Sequence, residues 1–165
     1  MRKLASFVFG SLLAAGSAPA SGRGLTVLSL DPHASRSVVA GYAIYLGGPD
    51  DAKAPRAWQG PIRITSPGKP ACTVSDDVSI IEKPLSLVAG HLLYVTTYSG
   101  NENRVYVVKA DDCSLAWTSA RFVGRPRIIG AILKLPGRHQ LTIDAAGIPE
   151  NQKAGKDVGD TARNG

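Results

Sequence analysis

The sequence predicts an all-β protein, built as a small antiparallel sandwich or a partly closed barrel or meander with one disulfide. Three observations lead there. The 165 residues include 18 Gly and 11 Pro, which favour turns. Short β-branched runs recur between those turns, as is typical of strands. No window carries the 3.6-residue apolar stripe of an amphipathic helix.

The first twenty residues are predicted to be a signal peptide. Arg2 and Lys3 give a positive start, residues 4–15 form an apolar run, and Ala18 and Ala20 supply small residues at the cleavage site. The run is shorter than the roughly 20 apolar residues of a membrane span. We therefore expect cleavage after Ala20, no stable membrane anchor afterwards, and a periplasmic or secreted product.

The rest of the chain is predicted to be a single β domain over residues 21–148, followed by a disordered tail over residues 149–165. The length suits one domain, and the tail has few bulky residues to bury. The candidate strands, in order, are residues 25–30, 38–46, 61–65, 78–81, 85–88, 92–98, 104–109, 115–119, 127–135 and 140–143.

Turn chemistry separates these candidate strands. Residues 47–51 and 66–70 are rich in Gly and Pro and should not continue a strand. Residues 99–103 form a polar loop of hairpin length. The doubled acids at 50–51, 76–77 and 111–112 are interpreted as turns in which carboxylates accept hydrogen bonds from nearby backbone amides.

The run at residues 104–109 is predicted to be a central strand covered on both faces. Val105 and Val107 should face one way, and Tyr106 and Val108 the other. Trp117 follows closely and should dock in the same core.

Two cysteines, Cys72 and Cys113, are predicted to form a disulfide. In an exported chain two cysteines permit one intramolecular pairing. Closing a loop of about 40 residues stabilises a fold by about 4 kcal/mol in the entropic treatment. A redox pair usually requires a Cys-x-x-Cys spacing, which is missing here.

Residues 92–119 carry a local pattern of Tyr94-Val95, Gly100, Val105-Tyr106, an Asp turn at 111–112, and Trp117. This segment resembles one blade repeat of quinoprotein-like β-propellers. Cys113 departs from the repeat, which normally has Gly there. Because a complete propeller needs at least four blades, the resemblance implies only a three-stranded antiparallel meander, without a cofactor or a catalytic residue.

No catalytic or metal-binding motif is found in the sequence. The three histidines, His33, His91 and His139, lie far apart and outside any metal-ligand spacing. The chain lacks a Gly-x-Ser-x-Gly elbow, and adjacent acids do not supply the alternating oxygens of a calcium loop. We therefore predict no catalytic residues, no metal and no cofactor.

Residues 121–139 are the candidate binding segment, because they contain several cations and no acid. Guanidinium groups pair well with carboxylates and phosphates, which makes Arg121, Arg125, Arg127 and Arg138 the candidate binding residues. Arg125 and Arg127 should share one side of an extended segment. The alternative is a solvated sheet edge, where positive side chains discourage aggregation.

The overall charge does not point to nucleic acid. Without Arg2 and Lys3 the basic residues fall from 19 to 17 against 13 acidic residues, a net charge of +4. We expect instead a protein partner or an anionic glycan of the cell envelope.

These observations favour an exported, non-catalytic binding protein of the envelope, such as an inhibitor or immunity protein that neutralises an envelope-acting enzyme. Two alternatives stay open. One is a small envelope hydrolase whose site assembles only in three dimensions, which would need a pocket joining a histidine to a carboxylate or hydroxyl. The other is a structural accessory of an envelope complex, marked by a large exposed apolar patch.

Overall fold

The computed structural model describes residues 24–31, 35–75, 77–78 and 80–150. Over these ranges the protein is all-β, and its antiparallel sheets are not closed into a barrel. None of these residues belongs to a helix long and apolar enough to cross a membrane. The predicted signal peptide, His33 and residues 151–165 of the predicted tail lie outside the described residues. The strands are β1 Val27–Leu30, β2 Arg36–Val39, β3 Tyr42–Tyr45, β4 Gly48–Pro49, β5 Ala57–Gln59, β6 Arg63–Thr65, β7 Cys72–Thr73, β8 Ile80–Val88, β9 Leu92–Ser99, β10 Glu102–Lys109, β11 Leu115–Thr118, β12 Arg127–Ile129, β13 Ile132–Lys134 and β14 Leu141–Thr142.

A seven-stranded sheet forms the centre of the molecule, in the order β11-β10-β9-β8-β5-β4, with β1 also paired to β8. The predicted meander is its longest part, since β9 pairs with β10 along the full length of both strands and β10 pairs with β11. The strand β8 pairs with β5 along its first part and with β1 along its last part. Between these parts the register shifts at Lys83 and Pro84, where proline lacks an amide donor.

Two smaller sheets cover the two faces of the central sheet. The four-stranded sheet β2-β3-β6-β7 and the three-stranded sheet β12-β13-β14 contribute to separate hydrophobic cores. The first core includes Ile44, Ile64, Trp58, Leu87 and Val108, all almost fully buried.

The second core lies under the three-stranded sheet and is built around Leu92, Val107, Phe122, Leu133 and Ile143. Trp117 packs against this core, as the sequence predicted. The prediction of a central strand covered on both faces is confirmed, because alternate residues of β10 enter alternate cores.

Two of the predicted strands are wrong, since each is a hairpin. Residues 38–46 divide into β2 and β3, joined by Ala40 and Gly41 at φ of 48° and 86°. Residues 127–135 divide into β12 and β13, joined by Gly130 at φ of 57° and Ala131. Left-handed residues reverse the chain within two positions, and the continuous apolar character of both runs hides those turns.

Short strands account for the other differences. Residues 47–51 were expected to stay outside any strand, but Gly48 and Pro49 pair with β5 at the sheet edge, where proline is tolerated. The strands β5 and β7 are too short to show a pattern. Conversely, the runs 78–81 and 85–88 join in the single irregular strand β8.

The predicted disulfide between Cys72 and Cys113 is confirmed, with the two Cα atoms 5.7 Å apart. It joins β7 of the four-stranded sheet to the turn after β10 of the central sheet. The chain also stays paired beyond residue 148, the predicted end of the domain. Pro149 forms a bridge with Ile143, and the Glu150 amide donates to Thr142 O at 2.7 Å.

Candidate functional site

The acid-free segment folds largely as the β12–β13 hairpin. We call residues 125–134 the cationic hairpin. Arg127 lies directly opposite Lys134, and Ile129 directly opposite Ile132. Ile128 and Leu133 pack against the second core. Side chains alternate along a strand, so the two cations and the two other isoleucines are on the outward face of this sheet.

Among the residues that the structure describes, none is a counterion for the outward cations of the cationic hairpin. Like charges directly opposite each other on neighbouring strands destabilise the pair. The ion pairs formed by described residues join Lys69 to Asp111, Lys83 to Asp31 and Arg121 to Glu102. None involves the hairpin cations, so an anion at this face would relieve their repulsion.

The structure divides the four predicted arginines into two pairs. Arg121 binds Glu102, with Nη1 and Oε2 3.0 Å apart. Its carbonyl oxygen accepts hydrogen bonds from Arg138 Nη2 at 2.7 Å and Nε at 3.2 Å. These two side chains therefore hold loops together. Arg125 and Arg127 are both exposed, on either side of the buried Pro126, as expected for an extended segment.

A cavity of about 400 Å³ lies between the cationic hairpin and the central sheet, and we call it the edge cavity. This size is typical of small-ligand sites. Of the described residues that line it, Arg127 alone is charged. The lining residues are Val27, Ser29, Pro84, Ser86, Tyr94, Thr96, Val105, Pro126, Arg127, Ile128, Ile129 and Leu133.

A row of hydroxyl groups crosses the floor of the edge cavity. Ser29 of β1 is directly opposite Ser86 of β8, which is directly opposite Tyr94 of β9. The Thr96 hydroxyl donates to Pro84 O at 2.9 Å, and the Tyr94 hydroxyl donates to Gly147 O at 2.6 Å. The Ser29 and Ser86 hydroxyls have no hydrogen-bond partner among the described residues.

Sequence reasoning missed this row, although the chain contains a signal for it. The tripeptide Leu-Ser-Leu occurs at residues 28–30 and 85–87. The two copies pair antiparallel, serine against serine, and the leucines Leu30, Leu85 and Leu87 enter the first core. Ser86 lies between the buried Leu85 and Leu87 and therefore faces the opposite side of its strand, where the edge cavity lies, and Ser29 pairs with it there.

None of the described residues that line the edge cavity is acidic, and its phenol stays neutral. Burial raises the pKa of Tyr94, and the nearby Asp144 carboxylate raises it further. The Tyr94 hydroxyl is therefore a hydrogen-bond donor at every physiological pH. The cavity combines apolar walls, neutral hydroxyls and one guanidinium at its rim, which suits a ligand with apolar and anionic parts.

A second cavity, of about 210 Å³, is less suited to an anion. It is lined by Arg104 and Arg121, but also by Glu102 and Asp77. Glu102 already neutralises Arg121. Arg104 Nε is buried from solvent and has no hydrogen-bond partner within the described part of the chain. The carboxylates in this lining offset its arginines and leave little positive charge for an anion.

Neither His91 nor His139 forms a hydrogen bond with a hydroxyl or carboxylate of a described residue. His91 Nδ1 lies 2.9 Å from Ala89 O. His139 lines a shallow cavity with Trp117 and Ser119, but the Ser119 hydroxyl is occupied, because it accepts from the Val105 amide and donates to Ala120 O. Over residues 24–31, 35–75, 77–78 and 80–150, no group of three His, Cys, Asp or Glu side chains is placed to hold a metal ion.

Asp50, Asp51 and Asp112 serve turns, as the sequence predicted. The Asp77 carboxylate accepts no hydrogen bond from a described residue, and Asp76 lies outside the described residues. Asp50 accepts hydrogen bonds from the amides of Ala57, Arg56 and Asp51, and these bonds, that of Ala57 above all, hold the pKa of Asp50 below its ordinary value. Asp112 likewise accepts from the amide and hydroxyl of Ser114.

Asp111 has a different role, since it joins two sheets beside the disulfide. The Tyr42 hydroxyl of β3 donates to Asp111 at 2.9 Å, and Lys69 Nζ lies 3.3 Å from the same oxygen. The Tyr42 hydrogen bond is the main reason that the pKa of Asp111 is lowered, with Lys69 adding to it. Asp111 is thus occupied in holding the fold.

The exposed large apolar side chains on the described surface are dispersed over several strands and one loop, and include Val38, Tyr98, Leu115, Val123 and Ile129. Of these, Ile129 belongs to the cationic hairpin. The strongest candidate site is therefore the cationic hairpin with the edge cavity. Comparison of the chain with protein-family models, with curated proteins and with solved structures finds no match in any of the three.

Proposed function

We propose that this chain is an exported, non-catalytic binding protein of the cell envelope that holds an acidic protein partner on the cationic hairpin. Its concrete form is an inhibitor or immunity protein that neutralises an envelope-acting enzyme. A rigid β scaffold with two cores and a disulfide suits a protein that presents a fixed surface.

The observation that carries the proposal is the direct pairing of Arg127 with Lys134, for which the described part of the chain supplies no counterion. A chain selected only for stability gains by placing an acid at one of these two positions, since opposite charges across strands attract. A partner carboxylate would supply that missing charge. An acidic protein is preferred to a glycan because Ile129 and Ile132 lie beside the cations and offer apolar contact.

Export is supported by the disulfide, which is compatible with a periplasmic or extracellular location. The test is to express the full chain and to label its thiols after cell fractionation. We expect Cys72 and Cys113 to be oxidised in the envelope or medium fraction. Two free thiols in protein recovered from the cytoplasm would contradict export.

Binding is tested by co-purification from envelope extract of the source cells. The variant Arg125→Glu/Arg127→Glu should lose the partner. The matched control Arg56→Glu/Arg63→Glu changes the net charge equally at exposed arginines outside the cationic hairpin and should keep it. Added stoichiometrically, the wild-type protein should lower the activity of the recovered enzyme. Equal recovery by all three proteins would refute the cationic hairpin as the binding surface.

A further inference from the structure

The strand β12 has an unpaired edge beside the edge cavity. It is the outer strand of its sheet and pairs with β13 alone. Gly130 and Ala131 form a two-residue turn, so the closing pair Ile129 and Ile132 exchanges hydrogen bonds. Bonded and non-bonded pairs alternate in antiparallel ladders. The amide and carbonyl of Ile128 therefore point away from β13, and no other described backbone group takes them up.

The edge cavity lies along this free edge. Four consecutive residues, 126–129, line it. Successive side chains point to opposite faces of β12. Because all four residues nevertheless line the cavity, the cavity lies along the edge of the strand and not against one face. The opposite wall carries the Ser29 and Ser86 hydroxyls, which are free of hydrogen bonds to described residues.

We propose that the partner docks by adding one extended segment to the edge of β12, as a fourth strand of the three-stranded sheet. This inference rests on the proposed function and names the part of the partner that is bound. Main-chain hydrogen bonds to Ile128 would supply affinity, and alternate side chains would supply specificity.

The geometry assigns a pattern to that segment. A residue opposite Ile128 directs its side chain inward, into the edge cavity, whereas residues opposite Arg127 and Arg125 direct theirs outward. The inward residues meet Val27, Val105 and hydroxyl groups, which suits side chains of medium size. The outward residues meet guanidinium groups, which suits acids. The segment should therefore alternate acidic and apolar residues in either strand direction.

Binding of synthetic peptides to the full mature protein tests the proposal. The probe is a six-residue fluorescein-labelled peptide of alternating Glu and Val, followed by fluorescence anisotropy. A peptide of the same composition with the order Glu-Glu-Glu-Val-Val-Val controls for charge. Alternating peptides that carry backbone N-methyl groups on one edge or the other test main-chain pairing without changing the protein.

We expect the alternating peptide to bind and the block peptide to bind at least about tenfold more weakly. N-methylation of the edge facing β12 should weaken binding about tenfold or more, since it removes a hydrogen bond and adds bulk. Methylation of the other edge should have little effect. Ser86→Leu, which fills the edge cavity, should also weaken binding, with a thermal unfolding scan to confirm that the variant is folded.

Other outcomes overturn the inference in distinguishable ways. Equal binding of the alternating, block and both N-methylated peptides would show a charge-only surface, leaving the proposed function but refuting strand addition. Binding of a sulfated hexasaccharide that depends on Arg127, without peptide binding, would assign the surface to a glycan. A concentration-dependent dimer that Arg127→Glu abolishes would assign it to a second copy. If neither the peptide nor the envelope partner depends on Arg125 and Arg127, the proposed function fails as well.

Discussion

Cys113 adopts a backbone conformation that cysteine seldom takes, with φ of 60°. Its amide donates to Lys109 O in the turn between β10 and β11. Gly would adopt such angles without steric cost. In this protein Cys113 adopts the unfavourable conformation, and its disulfide links two sheets covalently.

Removal of the disulfide should be less harmful when Gly replaces Cys113. The cysteines are 41 residues apart, so Cys72→Ala/Cys113→Ala should lower the free energy of unfolding by about 4 kcal/mol in the entropic treatment. Cys72→Ala/Cys113→Gly should recover about 1 kcal/mol, because Gly relieves the left-handed strain. Urea unfolding of both variants measures the difference. A less stable Gly variant would contradict this account of the turn.

Asp111 should make the stability of the protein sensitive to acid. Its pKa in the folded state lies below the ordinary value of 3.8, mainly through the Tyr42 hydrogen bond and then through Lys69. A lowered folded pKa stabilises the fold above the unfolded pKa, and that stabilisation is lost as pH falls through the folded pKa. Asp111→Asn should therefore lower Tm at pH 7, and the difference from wild type should shrink towards pH 2.

Calorimetry at several pH values tests this dependence. Asp77→Asn is the matched control, because Asp77 is exposed and its carboxylate accepts no hydrogen bond from a described residue. Tyr42→Phe should reproduce part of the Asp111→Asn effect. A Tm difference that stays constant from pH 7 to pH 2 would show that the Asp111 charge does not act through these partners.

At the scale of elements, the paired strands β1 and β8 carry hydroxyls that the fold does not use. Ser86 is 8% exposed, yet its hydroxyl has no partner among the described residues. Ser86→Ala should change the free energy of unfolding by less than about 0.5 kcal/mol, whereas Thr96→Val should cost about 1 kcal/mol through loss of its bond to Pro84 O. The denaturant midpoints of the two variants, compared with that of the wild type, measure these changes. A large loss in Ser86→Ala would show that the hydroxyl stabilises the fold and would weaken the case for a binding role.

The sequence predicted long strands better than turns inside apolar runs. The strands β9 and β10 are visible because alternation and length agree, and the polar turn between them includes Gly100. Gly41 and Gly130 stand within apolar runs, where one glycine does not distinguish a hairpin from a continuous strand. The two-residue strands β4 and β7 are stabilised by pairing with distant segments, so no local sequence pattern predicts them.

In the candidate site too, the sequence predicts features that depend on neighbouring residues better than features that depend on residues distant in the chain. Arg125 and Arg127 are recognisable from sequence because their neighbourhood lacks acids. That Arg121 is neutralised by Glu102, 19 residues earlier, follows only from the path of the chain. The edge cavity is also invisible locally, because its floor comes from β1, β8, β9 and β10 and its rim from β12.

At the scale of the whole molecule, one central sheet separates two cores, and neighbouring residues of β10 belong to different ones. Val107 lies in the core under the three-stranded sheet and Val108 in the core under the four-stranded sheet, and both are fully buried. Because both cores share the central sheet, loss of either should unfold the whole protein.

Val107→Ala and Val108→Ala should therefore each lower the free energy of unfolding by about 2 kcal/mol through lost burial and a residual cavity. Each variant should keep a single transition that coincides in far-ultraviolet and near-ultraviolet circular dichroism, as two-state unfolding requires. The two side chains occupy opposite faces and share few partners, so the double variant should show nearly additive losses. An early separate transition in Val107→Ala alone would mean that the three-stranded sheet, with the cationic hairpin, unfolds independently. The binding surface would then lack the rigid support that a preformed docking edge needs.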